Sequence, residues 1–490
     1  MKISLLNLLA ILWNVQNPKI NIMKKLFVCL LAMFLVGASA YAQRRVAVDT
    51  ANYMRSSLYL LLLKDTSVYA NAELIKQSFE EVPMPDKYND HNLPVRVYTS
   101  LPSVTEEEIA ALDNVTFKDT VAVAEGEGEG EGEAAPKKKK GGFGKFMGSL
   151  AKGAAAETTG GLVGGGVDRK QYAAIANKLM IEQNVAKQLV GKWFVDSTGK
   201  FTDSLVLQRG LYNYSAEDIA VAKESIEGVQ RMAMSSGYEL LNSTFVVANQ
   251  FNFLPKEEVI AEIQAAASGI GSLVGGTVGS FIQMGSAIGG GVAAAALGDG
   301  YFVKITSYLF KFKWNDDIQN KFFIECWDNP EAFAAYDGLE LEYVGSDKAF
   351  ANAGTDPNKG TIYAATVKAI DQVLAKLEFQ YDVFKTKTPL IVSTDEATGK
   401  PVYSAKIGLK EGLNGGDKYE VLEQVYDAET ESVKYKRVGV LKVSKNAIWD
   451  NRFGADQEMA AKGETQSIDA TIFEGNVPKA QQGMLLRQIK

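Results

Sequence analysis

The chain has 490 residues, of which 46 % are hydrophobic and 23 % are charged, and its net charge at pH 7 is −7. At roughly 150 residues per domain this length predicts about three folded units, and the composition is that of a globular protein with real cores. A single histidine excludes a His-rich metal site within one chain, and the acidic balance argues against nucleic acid as a partner.

Residues 1–42 have the features of a secretory signal peptide. A basic pair at 24–25 precedes an apolar stretch at 26–36 that is too short for a comfortable membrane span, and residues 40–42 (AYA) fit the small-x-small rule of signal peptidase. We therefore expect translation to start at Met23 and cleavage to follow residue 42. The protein would then reach the periplasm, possible final locations being the outer membrane or the cell surface.

Cleavage would remove Cys29 and leave Cys326 as the only cysteine, so we expect no internal disulfide. Cys326 lies between apolar neighbours and is predicted to be a buried small hydrophobic residue. Removal of the four lysines in residues 1–42 would also change the net charge from −7 to −11.

Residues 43–121 are predicted to form a small α+β region, in which 53–63 is strongly apolar, 71–79 has helical spacing and 95–98 can be a strand. The segment 83–94 has the Pro, Asp and Asn content of a loop.

The chain's only histidine, His91, lies in this loop close to Asp86, Asn89 and Asp90. The spacing matches no calcium loop, because no bidentate glutamate closes it. We expect a polar turn with Asx hydrogen bonds, no metal and no cofactor, and a histidine without a partner that would make it catalytic.

Residues 122–167 are predicted to be a low-complexity, flexible linker. Glutamate alternates with glycine at 125–133, and four lysines follow at 137–140. Such a segment cannot bury enough apolar area to fold. Its basic half could contact an anionic membrane or an acidic partner.

Residues 168–386 are predicted to form a central α/β layer domain, because helical and strand patterns alternate. Asp168 can cap a helix to about Val190, and a second helix at 216–234 would stop at Gly237. The other predicted elements are a turn at 196–200, strands at 204–211, 244–254, 301–314 and 339–344, and helices at 256–263, from 315 to about 327, and at 361–377.

This domain carries a Gly/Ala-rich insertion at 264–298, where no residue is charged. Its glycines recur every four residues in two sets, at 271–279 and at 285–289, and a helix would place each set on one face. They could pack against another helix, a membrane or a second copy of the chain, although a flexible insertion or a buried helical pair fits the composition as well. The candidate packing residues are Gly271, Gly275, Gly279, Gly285 and Gly289.

Residues 387–490 are predicted to form a small β-barrel or sandwich, since short alternating strands are separated by clear turns. The pattern at 409–413 and 416–421, followed by 438–443, resembles the small C-terminal β domain of flagellar assembly protein T. That resemblance implies an α/β domain before the barrel. The segments KYNDHNL (87–93) and YKRVG (435–439) also resemble uncharacterised exported envelope proteins of Gram-negative bacteria.

The fold class predicted from the sequence is therefore α+β, with the insertion-bearing α/β layer domain followed by the barrel-like domain. The predicted function is that of a non-enzymatic envelope protein that contacts other envelope proteins or itself, as a periplasmic or outer-membrane-associated scaffold. The alternatives are a surface adhesin or pore-forming component that inserts the glycine-rich segment, and a glycan hydrolase with paired carboxylates such as Glu340 and Glu342.

Overall fold

The structure is a computed structural model that describes residues 56–63, 72–113, 165–211, 228–255, 301–353, 359–427, 432–461, 463 and 465–489. All of them belong to one unit of the chain, residues 53–490. Within these ranges, no helix combines the length and apolar character that a membrane crossing needs. The predicted signal peptide, linker residues 122–164 and the glycine-rich insertion lie outside the described residues.

A six-stranded mixed sheet lies in the first part of the fold. Its strands are β1 (Ser57–Leu63), β2 (Asn89–Asp90), β3 (Val97–Tyr98), β4 (Thr244–Pro255), β5 (Tyr301–Phe312) and β6 (Leu341–Ala353). The order is β2-β1-β4-β5-β6, and β3 also pairs with β1. Strand β1 is parallel to β2, β3 and β4, whereas β4, β5 and β6 form an antiparallel ribbon. The strands predicted at 244–254 and 301–314 are thereby confirmed as β4 and β5. The strand predicted at 339–344 is β6, which is longer than predicted.

Strand β1 occupies an interior position in this sheet, although the sequence placed it in a separate N-terminal region. Its residues pair with β4 from Ser57 opposite Thr244 to Leu62 opposite Asn249. Residues from 43–121 and from 168–386 therefore build one sheet together.

Helices cover both faces of the sheet. The α-helices of the described residues are α1 (Ala72–Glu80), α2 (Glu106–Asp113), α3 (Gly165–Glu182), α4 (Val185–Phe194), α5 (Ser204–Leu211), α6 (Gly228–Asn242), α7 (Asp316–Lys321), α8 (Pro330–Ala335), α9 (Gly360–Gln380) and α10 (Ala455–Ala461), the last of which belongs to the C-terminal part. On one face Leu60 and Val247 share a core with residues of α1 and α9, and on the other Tyr59 and Val246 share a core with residues of α3 and α4. Every residue of β1 is buried, which explains its unbroken apolar run.

Two helical predictions need correction. The segment 204–211 is helix α5 and not a strand, and its buried residues Val206, Arg209 and Gly210 have the spacing of one helix face. The helix predicted from Asp168 to about Val190 is two helices, α3 and α4, because Asn184 has a left-handed backbone with φ of 51°. Asparagine tolerates that conformation better than most residues, so it can end one helix and start the next.

Helices α5 and α6 approach each other through glycine. A Cβ added at Gly237 would lie 2.9 Å from the carbonyl carbon of Val206, and still closer to its oxygen and Cγ1. A Cβ at Gly210 would lie 2.8 Å from the carbonyl carbon of Ala233. The prediction that Gly237 stops the helix is therefore wrong: it lies inside α6 and makes room for α5.

A seven-stranded antiparallel sheet forms the C-terminal part. Its strands are β7 (Thr388–Pro389), β8 (Ile391–Thr394), β9 (Pro401–Ala405), β10 (Lys418–Asp427), β11 (Ser432–Val443), β12 (Thr471–Glu474) and β13 (Leu485–Gln488), in the order β7-β13-β10-β11-β12-β9-β8. The two edge strands β7 and β8 are separated only by Leu390, so the sheet nearly closes on itself. The backbone N–H of Leu390 donates to Met484 at 2.6 Å, which ties this corner to the neighbouring chain. The barrel-like form of the sequence prediction is confirmed.

Candidate functional site

The side chain of His91 lies between the six-stranded sheet and helices α4 and α5. The predicted Asx turn is present, since the carboxylate of Asp90 accepts a hydrogen bond from the backbone N–H of Asn92 at 2.9 Å. His91 itself is fully buried, and both of its ring nitrogens have protein partners. These two contacts were not expected from the sequence.

The surroundings of His91 determine its tautomer. Its Nδ1 lies 3.1 Å from a guanidinium nitrogen of Arg209, which can only donate, so Nδ1 accepts. Its Nε2 must then carry the proton, and it donates to the carbonyl of Leu189 at 3.0 Å. Burial, assisted by the positive charge of Arg209, lowers the pKa of His91 well below its usual value, so the imidazole stays neutral.

Arg209 links three elements around this imidazole. Its guanidinium donates to the hydroxyl of Ser57 at 2.9 Å and to the carbonyl of Asp90 at 2.8 Å, and it lies 4.6 Å from the ring centre of Trp193. The Trp193 indole donates in turn to Thr244 at 3.1 Å. This cluster holds α4 and α5 against the start of β1 and β4.

A second polar cluster, called the ionic junction here, consists of Lys87, Asp371, Glu378, Lys410 and Glu411. The ammonium of Lys87 lies 2.8 Å from Glu378 and 3.9 Å from Glu411, and Lys410 lies 3.5 Å from Asp371. The side chains of Lys87 and Glu411 are only 9 % and 11 % exposed. The junction therefore joins the loop after α1, helix α9 and the short turn before β10.

Neutral groups complete the ionic junction. The hydroxyl of Tyr88 donates to Glu378. Glu411 accepts from the backbone N–H of Gly408 at 2.7 Å and from the amide of Asn451 at 2.8 Å. At Gly412, a positive φ of 73° turns the chain, and an added Cβ would lie 3.9 Å from the Cβ of Ala375 on α9. The turn is thus docked closely on the helix face that carries Asp371 and Glu378.

Burial and charge act against each other in this junction. Burial alone would lower the pKa of Lys87, but the carboxylates of Glu378 and Glu411 outweigh it and raise that pKa. Burial raises the pKa of Asp371 to about 6, because Lys410 offsets only part of the cost of removing the carboxylate from water and Glu411 adds repulsion.

A smaller junction joins helix α6 to the barrel-like sheet. The hydroxyl of Tyr435 donates to Glu239 at 3.1 Å, and the ammonium of Lys387 lies 3.6 Å from Glu239 and 4.3 Å from the Tyr435 ring centre. Burial raises the pKa of Glu239 despite these two partners.

At Gly439 on β11, an added Cβ would lie 2.7 Å from methyl carbons of Val477, so the strand needs glycine there.

The two segments on which the envelope-protein resemblance rests, 87–93 and 435–439, make contacts within the fold. In 87–93, Lys87 and Tyr88 bind helix α9, His91 contacts α4 and α5, and Asn92 accepts from the backbone N–H of Leu60 at 2.8 Å. In 435–439, the tyrosine binds α6 and the glycine allows close packing. Both segments connect parts of the fold.

An open apolar groove, called the α4–α8 groove here, lies on the surface between α4, the turn at 196–201 and α8. Its volume is about 450 Å³, within the roughly 300–1,000 Å³ common for ligand sites. The lining residues are Asn184, Lys187, Gln188, Gly191, Val195, Gly199, Phe201, Pro330 and Phe333. Most of the floor is apolar, and the polar groups lie on the α4 side.

The walls of this groove are held by specific local interactions. Asn329 caps α8 by accepting from the N–H of Ala332 at 3.1 Å, and Pro330 occupies the first turn, where its missing N–H costs nothing. Lys187 of α4 donates to the carbonyl of Ala334 at 2.6 Å and fixes the two walls together.

The floor of the groove is the outer part of a large aromatic cluster. The ring centres of Phe201 and Phe333 lie 5.6 Å apart in an edge-on arrangement, and Phe201 lies 5.5 Å from Trp327. Below them Phe322 begins a π-helical turn, Phe322–Cys326, of a type that occurs often at functional sites. The aromatic floor is therefore fixed by packing.

The candidate residues chosen from sequence are placed as follows. Gly271, Gly275, Gly279, Gly285 and Gly289 lie outside the described residues, so their packing role stays a prediction. Cys326 is buried, as predicted, and burial raises the pKa of its thiol. Glu340 forms an ion pair with Lys313 at 3.1 Å, which is consistent with a solvated strand end.

A comparison of the chain with protein-family models and with curated proteins finds no match. In the part of the chain that the structure describes, no three His, Cys, Asp or Glu side chains come together to bind a metal ion.

The sequence reasoning missed the groove, the ionic junction and the His91–Arg209 contact. The distinctive segment at 87–93 was a usable signal, because it packs lysine, tyrosine, aspartate and histidine into seven residues. Its partners are far along the chain, however, and no local pattern points to them.

Proposed function

We propose that the chain is an exported, non-enzymatic protein of the bacterial cell envelope that acts by binding another protein, as a periplasmic or outer-membrane-associated scaffold or assembly factor. The export step rests on the signal-peptide pattern in residues 1–42.

The observation that carries the binding role is the α4–α8 groove. An open surface depression with an aromatic floor suits the burial of apolar side chains from a partner polypeptide, and aromatic residues are enriched at such interfaces. Lys187, Gln188 and Asn184 at its side can meet the backbone of a bound segment. The occupant that fits is an apolar segment of a partner protein.

The way in which the buried charges are used supports a binding role over catalysis. Lys87, Glu378 and Glu411 face one another across three elements, and Glu239 faces Lys387 and Tyr435. These groups have perturbed surroundings of the kind that also occurs in active sites, but here each is engaged in joining segments.

Export is tested by mass spectrometry of the protein from fractionated cells. The expected species begins at Gln43 and is found in the periplasmic or envelope fraction. A full-length chain confined to the cytoplasm would refute the export part of the proposal.

The groove is tested with two substitutions at one position. Gly191 lines the groove on α4, and an added Cβ meets no atom within 4 Å, so Gly191→Trp can fill the groove while Gly191→Ala leaves it open. Each mature variant is used to capture proteins from envelope extracts. A partner bound by wild type and Gly191→Ala but lost with Gly191→Trp supports the groove; equal capture by all three contradicts it.

The alternative of an adhesin or pore-forming component depends on the glycine-rich insertion. Deleting residues 265–298 and measuring both membrane association and mass in solution separates this alternative from the scaffold. Membrane association that is lost on deletion would favour the alternative, whereas unchanged behaviour would remove its basis.

A further inference from the structure

The ionic junction contains more negative than positive charge. Three carboxylates, on Asp371, Glu378 and Glu411, face two ammonium groups, on Lys87 and Lys410. Their side chains are between 9 % and 23 % exposed. If all five are ionised, one negative charge is left without compensation in a site that water reaches poorly, which is costly.

The geometry identifies Asp371 as the surplus carboxylate. Glu378 has the Lys87 ammonium at 2.8 Å and the Tyr88 hydroxyl, and Glu411 has two amide donors at 2.7 and 2.8 Å. Asp371 has the longer contact of 3.5 Å with Lys410, and the ammonium of Lys87 attracts it without forming an ion pair with it. It is the carboxylate that gains most from taking up a proton.

The remaining titratable groups around the junction do not supply that missing charge. The groups that face it are Lys87 and Tyr88 from the loop after α1, Asp371 and Glu378 from α9, Lys410 and Glu411 from the turn, and Tyr419 from β10 with Asp417 beside it. Burial, aided by Asp417, raises the pKa of Tyr419 well above its usual value, so this phenol stays neutral.

We propose that the ionic junction is an acid-strengthened latch, in which protonation of Asp371 tightens the docking of the 409–411 turn, and with it the barrel-like sheet, onto helix α9. At neutral pH the surplus charge weakens this contact; in mild acid the junction becomes charge-balanced. This inference does not depend on the proposed binding function, because it concerns a different contact. That contact joins helix α9, which covers the six-stranded sheet, to the turn at 409–411, which precedes strand β10 of the barrel-like sheet.

The direction and size of the effect follow from linkage. The pKa of Asp371 is raised in the docked state to about 6, above the value of about 3.9 for a solvated aspartate. The docked state therefore binds the proton more tightly, and docking strengthens as the pH falls through 6. Between pH 7.5 and pH 5.0 the docking equilibrium constant should rise about tenfold.

Amide hydrogen exchange of the turn tests this docking. The backbone N–H of Leu409 donates to Trp449 at 2.9 Å, and that of Lys410 donates to the Asn451 side chain at 2.9 Å. Asn451 also donates to Glu411 of the ionic junction at 2.8 Å, so we expect these bonds to open more often when the turn loses its contact with α9. In the mature full chain, the protection factor of peptides covering 408–413, corrected for the intrinsic pH dependence of exchange, should rise about tenfold from pH 7.5 to pH 5.0.

Two variants and a control decide the matter. Asp371→Asn leaves two carboxylates facing two ammonium groups. In this variant, peptides covering 408–413 should therefore have the same protection factor at both pH values. Lys410→Gln increases the surplus negative charge and should enlarge the pH difference; it also provides a test if the first variant fails to fold. Asp382→Asn removes a carboxylate that is 54 % exposed just beyond α9 and should behave as wild type. Equal protection of the wild type at both pH values, or a rise retained in Asp371→Asn, would overturn the latch.

Discussion

Replacement of Gly237 by alanine tests whether helices α5 and α6 can pack closely only because this position has no side chain. The added Cβ would lie 2.9 Å from the carbonyl carbon of Val206 and closer still to its oxygen. Contact distances below 3 Å to backbone atoms cannot be relieved by rotating a side chain, so one helix must move away from the other.

Two opposing effects set the size of the change. Alanine favours a helix over glycine by up to about 1 kcal/mol, which would stabilise the protein. Overpacking of a buried contact costs about 1–3 kcal/mol. Because Gly237 and Val206 are both buried, the steric cost should exceed the helical gain, and we expect a net loss of about 1–2 kcal/mol in the free energy of unfolding.

The matched control is Gly191→Ala in α4. It makes the same chemical change inside a helix, but the added Cβ meets no atom within 4 Å. Only the helical gain remains, so this variant should be more stable than wild type by up to about 1 kcal/mol.

Urea unfolding followed by circular dichroism measures both changes, and the midpoints should move in opposite directions. A Gly237→Ala protein that is as stable as Gly191→Ala would refute the close approach of α5 and α6. A loss of stability in both variants would instead show that glycine matters at these positions for a reason other than space.

Two further predictions concern the polar clusters. His91→Phe leaves two buried hydrogen-bonding groups without their partner and should lower stability by about 1–3 kcal/mol at pH 7.5. Because the lowered pKa of His91 keeps it neutral in the folded state, the stability that His91 contributes should fall as the pH drops below about 6.5, where the unfolded imidazole takes up a proton. Since the chain has one histidine, the difference between wild type and His91→Phe in urea titrations should shrink towards pH 5, and a constant difference would contradict a buried neutral imidazole. Glu378→Gln removes the nearest carboxylate from the buried ammonium of Lys87 and should cost about 3 kcal/mol by chemical denaturation, whereas Glu81→Gln, which breaks an exposed ion pair, should leave the midpoint unchanged. Equal midpoints for these two variants would show that the ionic junction adds nothing to stability.

Much of the sheet structure could be predicted from local patterns. Alternation of aromatic and polar residues in 244–254 and 301–314 is enough to identify β4 and β5, and the short strands with glycine turns after 387 indicate the barrel-like sheet. These patterns succeed because each strand has one or two buried faces whose period is set by the strand itself.

The segment 204–211 shows where such reasoning fails. Its sequence, SLVLQRGL, contains too few apolar residues to separate a period of two from a period of 3.6. Only the packing of Val206 and Gly210 against α6 makes the helical arrangement clear.

The polar clusters could not be predicted because their members are distant in sequence. Lys87 and Glu378 meet only after β1 has entered the sheet and α9 has covered it. His91 illustrates the same limit: the Asx turn beside it was predicted, but the short strand β2 before it was not, and its burial depends on Arg209 and Leu189 from helices that follow much later.

The long ribbon of β4 and β5 has a consequence for how this chain can vary. The two strands stay paired to their last residues, with Pro255 opposite Tyr301. The sheet therefore holds the ends of the intervening segment, 256–300, side by side. Closing a flexible loop of twice the length between fixed ends costs only about 0.6 kcal/mol more. We therefore expect the end of the ribbon to be a place where the chain can be lengthened or shortened while the six strands keep their register.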